Sequence, residues 1–257
     1  MCKAFSCIID KNKKVTWKLN IDSHSELIDK AGYEDSDDCK KFVRIEISPK
    51  NKDYLNPNKW VFKIDEQEKP RWFSPLHEQA CWDAFKEYEK QLYSILQKGK
   101  KIIHPFNDIK KVKKITSKHK QLLKQCGSVR DSASVWYSVR ASVGDSVGYS
   151  VCDSVRASVG DSVRYSVGLS VRDSVWALVW YSVGDSVYSY IGSFFKLQRK
   201  QWEATDKIKT KDYPFQPAVD LWEQGLVPTF DGEYWRLHSG KNADVVFKIH
   251  KDKLRKL

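Results

Sequence analysis

The residue whose position best suits covalent chemistry is Cys2, near the amino terminus of this 257-residue chain. If the initiator methionine is removed, Cys2 carries both a thiol and a free amine, and the amine can act as the base that activates the nucleophile. No oxyanion-hole motif accompanies it, so an ordinary thiol is the alternative interpretation. The chain also contains no glycine-rich phosphate loop and no HExxH sequence. We therefore predict no catalytic residue.

Two histidines in the first hundred residues have side chains suited to proton transfer or metal binding. His24 lies inside a predicted helix cap, and we expect a capping or surface role for it rather than that of a general base. His77 and Cys81 lie four residues apart, a spacing that can bind a metal from one helix face. The other cysteines lack the spacing of metal ligands, so we predict no metal site and no cofactor. An active site at which Cys2, His24 and Glu46 converge is the alternative.

The positive charge of the chain is concentrated in residues 98–126, which hold 10 lysines against the single acidic residue Asp108. This segment supplies a net charge of +9 out of +12 for the whole chain. Lysines at this density can contact nucleic-acid phosphates, each contact releasing counterions. They can also belong to a helix that caps the next domain and leaves its lysines in water. We predict a helix over residues 107–125. The candidate nucleic-acid-binding residues are Lys110, Lys111, Lys113, Lys114, Lys118 and Lys120.

A second polar group near the carboxy terminus consists of Arg236, His238 and Lys241. These side chains could hold an anion together, and the alternative is that they decorate the surface separately. Residues 226–237 are typical of a hairpin because an Asp-Gly pair lies between two apolar runs. Residues 243–249 predict a third strand beside that hairpin.

Residues 1–97 alternate between strand patterns and helix patterns. The predicted strands, in which apolar and polar residues tend to alternate, lie at residues 4–9, 15–20, 42–48 and 60–65. One predicted helix follows Ser23, whose hydroxyl is expected to form a capping box with Glu26. A second helix begins at Pro75, since proline is favoured at the first helical position. The order β-β-α-β-β-α indicates a helical layer on a mainly antiparallel sheet.

Residues 134–193 repeat with a period of four. Valine occupies every fourth position from 135 to 187, Ile191 closes the series, and serine precedes nearly all of them. On an α-helix four residues advance about 400°, so the valine stripe would drift by about 40° per unit and keep no fixed core face. Repeated glycines also disfavour a long helix. We therefore expect a coil that turns a corner at each unit, with valine on the axis of a four-sided β-solenoid.

A longer period of 16 residues is superimposed on the repeat. In a four-sided coil it would place like residues in columns on the exposed face. The residues concerned are Arg140, Arg156, Arg172, Tyr149, Tyr165 and Tyr181. Two interpretations stay open: a binding face, or a relic of sequence duplication followed by neutral drift on a tolerant surface.

The Ser-Val-x-x array resembles pentapeptide-repeat proteins, which are four-sided right-handed β-solenoids with a slightly longer unit. Several members of that family mimic duplex DNA with an acidic surface. Residues 127–193 have a net charge of only −1, so the resemblance does not extend to mimicry. With the start MCKAFSCI and the ending GLVPTFDGEYWRLHSGK, the array also resembles uncharacterised proteins of bacteriophages and mobile elements.

Together these patterns predict an α+β domain (residues 1–97), a basic connector (98–127), an all-β four-sided solenoid (128–193) and a small α+β module (194–257). The predicted function is that of a non-enzymatic, phage-encoded interaction protein that contacts nucleic acid or an acidic host protein. An enzyme with its active site in the first domain and a structural component of the virion are the alternatives. No run of about 18 apolar residues occurs, which predicts no membrane partner. The cysteine pattern predicts a cytoplasmic location.

Overall fold

The structure, a computed structural model, describes residues 5–19, 21–50, 57–97, 100–147, 163, 166–167 and 176–257. The chain divides into two compact units. The first comprises Met1–Lys100 with Gly144–Ser154, and the second comprises Lys101–Val143 with Val155–Leu257. The first unit holds 19 basic and 19 acidic side chains, whereas the second holds 26 basic and 14 acidic ones. The second unit therefore carries the entire net charge of +12.

The first unit is built on a four-stranded antiparallel sheet and two α-helices. Its elements in chain order are β1 (Phe5–Asp10), β2 (Val15–Thr16), α1 (His24–Ala31), β3 (Phe42–Pro49), β4 (Trp60–Ile64) and α2 (Pro75–Ile95). Single turns of 3-10 helix lie at Asp35–Asp37 and Pro57–Lys59. The strand order is β2-β1-β3-β4. The order β-β-α-β-β-α is the one that the sequence predicts.

Both faces of this sheet are covered, because successive residues of β1 point alternately to α2 and to α1. Phe5 contacts the rings of Phe85 and Tyr88 on α2, with centroids 5.7 and 5.1 Å apart. Ile8, which points to the opposite face, packs in a cluster with Leu27 of α1. The face towards α1 also carries Arg44 and Glu46, the charged residues of β3.

The second unit contains a three-stranded antiparallel sheet of order β5-β6-β7 and several helices. Its elements are α3 (Ser117–Arg130), α4 (Val135–Val147, which begins in this unit), α5 (Trp176–Gly192), a 3-10 turn (Arg199–Gln201), α6 (Gln216–Trp222), β5 (Val227–Phe230), β6 (Tyr234–Ser239), β7 (Asp244–His250) and α7 (Lys251–Arg255). The predicted Asp-Gly hairpin joins β5 to β6, and Gly232 adopts the left-handed φ of +101° that its turn requires. The predicted third strand corresponds to β7.

The basic helix predicted over residues 107–125 corresponds to α3, which begins and ends later than expected. A capping box sets its start: the His119 amide donates to Thr116 Oγ1 at 3.3 Å, and the Thr116 amide donates to His119 Nδ1 at 3.2 Å. Gly127, which we expected beyond the end of the helix, lies inside it close to the Trp235 ring. Lys110, Lys111, Lys113 and Lys114 therefore precede the helix and are not part of it.

The predicted four-sided β-solenoid over residues 128–193 is wrong. Within the repeat, helical residues form α4 and α5, and the described residues 163, 166 and 167 are helical as well. Neither of the two sheets seen in the described part of the chain takes a strand from the repeat. The valines described there are buried as expected, but they line helix faces and not a solenoid axis.

The described helices of the repeat are short, whereas a valine stripe loses its core face only along one continuous helix of nearly 60 residues. α4 has 13 residues and α5 has 17, so the drift along each totals only about 120–160°. A buried face that wide takes in serine as well as valine. On α5 the residues Ser182, Val183, Ser186 and Val187 are each at most 3% exposed.

The serines of α5 are tolerated in the interior because their hydroxyls bond to backbone atoms. The Phe230 amide donates to Ser182 Oγ at 2.7 Å, and Ser186 Oγ donates to the Pro228 carbonyl at 2.7 Å. Both partners lie on β5, an edge strand of the sheet. The helix therefore covers an edge whose backbone groups would otherwise lack partners.

Two stacked rings connect α5 to α6 in the core of the second unit. Tyr190 and Trp222 lie with their centroids 4.8 Å apart, and both bond to the backbone of Ile103. The Ile103 amide donates to the Tyr190 hydroxyl at 2.7 Å, and Trp222 Nε1 donates to the Ile103 carbonyl at 2.9 Å. These bonds fix the position of Ile103, in the segment that leads to Lys110 and the lysines after it.

Among the helices that the structure describes, none combines the length and apolar character needed to cross a lipid bilayer.

Candidate functional site

The basic groove of the second unit is a cavity of about 430 Å³ between α3, the β5–β6 turn and α7. Four cationic side chains and one carboxylate line it, together with the rings of Phe230 and Trp235. The charged lining residues are Lys124, Arg130, Asp131, Lys251 and Arg255. An excess of positive charge in a concave site raises the local concentration of anions. The groove is therefore a candidate anion site.

Two of the groove cations are held in position by neighbours on their own unit. Lys251 Nζ donates to the Gly232 carbonyl at 3.0 Å, which ties the start of α7 to the β5–β6 turn. Arg255 Nη2 donates to Asp131 Oδ2 at 3.0 Å, and both side chains are largely exposed. Lys124 makes no ion pair with any residue that the structure describes. Surface contacts of this kind are weak, so a phosphate can replace them.

Arg130 has a more buried partner, the carboxylate of Asp185 on α5. Its Nη1 donates to Asp185 Oδ2 at 3.1 Å, and its guanidinium lies 5.2 Å from the centroid of the Phe230 ring. Burial raises the pKa of Asp185 to about 6, against the opposing effect of the Arg130 charge. The carboxyl group is thus partly protonated near pH 6, and its attraction for Arg130 then weakens.

The six lysines predicted to bind nucleic acid lie on and before α3, at the opposite end of that helix from the groove. They are Lys110, Lys111, Lys113 and Lys114 before the helix and Lys118 and Lys120 on it. Lys111 Nζ donates to Asp244 Oδ2 at 2.7 Å, and Lys120 Nζ lies 5.5 Å from the centroid of the Phe247 ring. These two are therefore directed to β7. The other four are exposed and make no ion pair within the described chain.

The residues proposed for an exposed repeat face are only partly described. Arg140 lies on α4, with its guanidinium 5.8 Å from the centroid of the Trp136 ring. Tyr181 is a residue of α5. Arg156, Arg172, Tyr149 and Tyr165 lie outside the described residues. Columns of like residues required the four-sided coil and are not expected without it. Whether these residues form an exposed binding face stays a prediction.

The carboxy-terminal cluster does not form an anion site, because two of its members bond within the fold. Arg236 Nη2 pairs with Asp231 Oδ2 at 2.5 Å, and both side chains are buried. His238 Nδ1 lies 2.9 Å from the Ala243 carbonyl, and its Nε2 lies 2.9 Å from Thr229 Oγ1. Burial lowers the pKa of His238 to about 4, so the ring is neutral and structural at pH 7.

The spacing of His77 and Cys81 does not correspond to a metal site in the structure. His77 Nδ1 lies 2.9 Å from Ser74 Oγ and completes the capping box of α2, while Nε2 lies 3.2 Å from the Lys11 carbonyl. Cys81 is buried and adjoins Cys7, and burial raises the pKa of the Cys7 thiol well above its usual value. Both nitrogens of His77 thus have hydrogen-bond partners in the first unit, and the thiols of Cys7 and Cys81 interact with each other.

A third group, the polar cluster of the first unit, consists of His24, Glu46 and Asp65. One nitrogen or carboxylate oxygen from each lies within 4.8 Å of the other two. His24 begins α1 as predicted, but the Ser23 hydroxyl makes no capping bond, and the buried imidazole lies against the sheet. Cys2, which the alternative of an enzyme would bring to His24 and Glu46, lies outside the described residues. Asp65, which the structure places in the cluster, was missed by the sequence reasoning.

Three groove cations, Arg130, Lys251 and Arg255, were also missed by the sequence reasoning, whereas Lys124 belongs to the basic segment 98–126. One signal could have found Lys251 and Arg255. The last ten residues, KIHKDKLRKL, hold five basic side chains and one acidic one. Their proximity to the end of α3 depends on tertiary packing and is not visible in the sequence.

No protein-family model matches the chain, and no match is found among the curated proteins or the solved structures.

Proposed function

We propose that the second unit is a nucleic-acid-binding module that contacts phosphates through the basic groove and the lysines before α3. The observation that carries this proposal is the segregation of charge: the second unit holds 26 basic and 14 acidic side chains, while the first unit is neutral. A polyanion would be attracted to the second unit alone. In this proposal the chain is a non-enzymatic interaction protein of phage origin that works in the cytoplasm of the host.

The side chains of the groove suit phosphates better than bases. Lysine and arginine bind phosphate oxygens without regard to sequence. The two rings of the groove are already in use, because Phe230 stacks on Trp235 at 4.9 Å and Arg130 covers Phe230. Trp235 is moreover only 7% exposed, so it offers little surface to a base. We expect binding that depends steeply on salt and little on base sequence.

An acidic protein is the other partner that fits a positive surface. The extent of the charge favours nucleic acid, because cations continue from the groove over α7 to Lys253 and Lys256 and occur again before α3. A polymer with regularly spaced phosphates can use such a dispersed set, whereas a folded acidic protein would need a matching patch. Failure to bind DNA or RNA at low salt would favour the acidic protein.

The test is a titration of fluorescent single- and double-stranded DNA and RNA with the full-length protein at several salt concentrations. The groove variant combines K124Q, K251Q and R255Q. Arg130 is left unchanged in it, because substitution of Arg130 would leave the carboxylate of Asp185 without a partner. A second variant combines K110Q, K111Q, K113Q and K114Q. The matched control combines K18Q, K30Q and K90Q, which remove the same charge from the first unit.

We expect the groove variant to weaken binding at low salt by about tenfold or more, while the control stays within about twofold of the unmodified protein. The slope of log affinity against log salt should become shallower by about 2 to 3, since each lost phosphate contact to a duplex contributes about 0.9. Absence of binding at low salt, or an equal loss in groove variant and control, would refute the proposal.

A further inference from the structure

We propose that His24, Glu46 and Asp65 bind one divalent metal ion of the series from manganese to zinc. The three residues come from α1, β3 and the position directly after β4, so they meet only through the fold of the sheet. One imidazole and two carboxylates form a mixed nitrogen and oxygen donor set. Mn²⁺, Co²⁺ and Zn²⁺ accept such a set, whereas Ca²⁺ and Mg²⁺ prefer oxygen ligands alone.

The orientation of the His24 ring supports this site. Its Nε2 lies 3.2 Å from the Ile45 carbonyl, which can only accept, so Nε2 carries the hydrogen. In the neutral ring the lone pair is then on Nδ1, and Nδ1 faces Asp65 Oδ2 at 3.6 Å. Two ligands at about 2.1 Å from a tetrahedral ion are about 3.4 Å apart, close to this separation. Metal-binding histidines are often fixed in this way by a backbone carbonyl on the second nitrogen.

A buried hydroxyl beside the cluster is a second and independent observation. Ser6 on β1 is the direct register partner of Glu46 on β3, so both side chains project from the same face of the sheet. Ser6 is 2% exposed, and its hydroxyl has no hydrogen-bond partner among the described residues. A buried hydroxyl normally has one. A water on an ion bound to Glu46 would supply that partner.

A lysine holds the Asp65 carboxylate in place. Lys63 Nζ donates to Asp65 Oδ1 at 3.0 Å. The other oxygen, Oδ2, is the one that faces His24. Three protein ligands leave at least one coordination position open, as in catalytic and not structural zinc sites. The site gives the alternative of an enzyme in the first unit a definite location.

The test uses full-length protein that has been stripped of metal with a chelator and is then titrated with Mn²⁺. Electron paramagnetic resonance measures the free ion, so the bound number and the affinity follow directly. Mn²⁺ is the probe because the chain has six cysteines, which bind Zn²⁺ strongly and Mn²⁺ weakly. The variants are H24Q, E46Q and D65N, each checked for folding by thermal melting. The control D38N removes a carboxylate from the neighbouring group of Asp38, Cys39 and Glu66.

We expect one Mn²⁺ per chain, displaced by Zn²⁺, with affinity reduced at least about tenfold in each folded site variant and unchanged in D38N. No binding at millimolar Mn²⁺ would overturn the proposal and leave His24 and Asp65 as a simple ion pair. Binding that survives E46Q and D65N, or that D38N abolishes, would also overturn it. Because this site lies in the first unit, its failure would leave the nucleic-acid proposal for the second unit untouched.

Discussion

Both units have buried aromatic rings, but α2 of the first unit and the repeat helices of the second meet some of their neighbours through side chains of different size. In the first, large rings meet between the sheet and α2: Phe85 lies 5.7 Å from Phe5 and 5.2 Å from Trp60, measured between centroids. In the second, the repeat supplies valine, serine and glycine, and a Cβ on Gly192 of α5 would lie 3.1 Å from the Val139 side chain of α4. The small residues of the repeat thus set how closely its helices approach their neighbours at these contacts, whereas α2 meets its sheet through large rings.

Buried polar groups also differ between the units. In the second, Ser186 and His238 bond to backbone carbonyls of the same unit, so their bonding capacity is used by the fold. In the first, His24 Nε2 lies 3.2 Å from the Ile45 carbonyl, and Nδ1 lies 3.6 Å from Asp65 Oδ2. Polar groups that are hydrogen-bonded within the fold stabilise it. A histidine that faces two carboxylates, as His24 does, is where a metal ligand set can form.

The largest effect that would test this comparison is expected from Gly192→Ala. A methyl group there would overlap the Tyr213 hydroxyl, which donates to the Ser189 carbonyl at 2.7 Å, and would press on Val139. We expect the free energy of unfolding to fall by about 3 kcal/mol, the upper range for overpacking. Chemical denaturation with urea measures it.

The matched control is Gly127→Ala on α3, where the added methyl group would lie 3.6 Å from the Trp235 ring, an ordinary contact. Because alanine is favoured over glycine inside a helix by about 1 kcal/mol, this variant should be neutral or more stable. Equal destabilisation by both substitutions would contradict the idea that close approach at α5 is the special feature.

A smaller effect is expected from Ser186→Ala, which tests the role of the repeat serines. The Pro228 carbonyl would lose its donor in a buried position, and we expect a loss of about 1 to 2 kcal/mol in the free energy of unfolding. The control is Ser138→Ala on α4, since the buried Ser138 hydroxyl has no hydrogen-bond partner in the described part of the chain. That variant should be neutral or slightly stabilised, and a similar loss in both would refute the pairing argument.

The sequence predicts the first unit well because its signals are local. Alternation of apolar and polar residues over 42–48 matches β3, and Ser74 followed by proline marks the start of α2. The second strand is shorter than its pattern, ending at Thr16. The site in this unit is not local: Asp65 reaches His24 only because β4 pairs with β3 in one particular register, which composition and spacing do not reveal.

The repeat was misread because a period of four is compatible with two structures. A valine stripe that drifts by about 40° per unit rules out one long helix but permits short ones, and the sequence does not show how long each helix is. No direction was assigned to the serines from the sequence, and Ser182 and Ser186 are buried against β5. Charge was read correctly in amount, but the groove also needs Arg255 and Lys251, which meet α3 only in the folded chain.

The smallest effect is expected from Asp185→Asn, read as a function of pH. Burial raises the pKa of Asp185 from 3.8 to about 6, so the folded state binds this proton more tightly than the unfolded state does. The stabilisation is full below pH 4 and is lost as the pH rises through 6. Asparagine removes this loss, so D185N should be more stable than the unmodified protein by about 1 kcal/mol at pH 7.5 and equal to it near pH 4. This free energy is smaller than the full pKa shift of Asp185 would give, because about a third of its side chain is exposed to water.

The same substitution connects stability to the groove. Without the carboxylate, Arg130 loses the charge that holds it towards α5 and can turn to an external phosphate. D185N should therefore bind DNA a few-fold more tightly at pH 7.5, with no difference at low pH, where Asp185 is protonated anyway. The exposed Asp131, which pairs with Arg255, provides the control: D131N should strengthen DNA binding at pH 7.5 without any gain in stability. If D185N left binding unchanged while D131N strengthened it, Arg130 would be a structural residue of α3 and the groove would act through its three other cations.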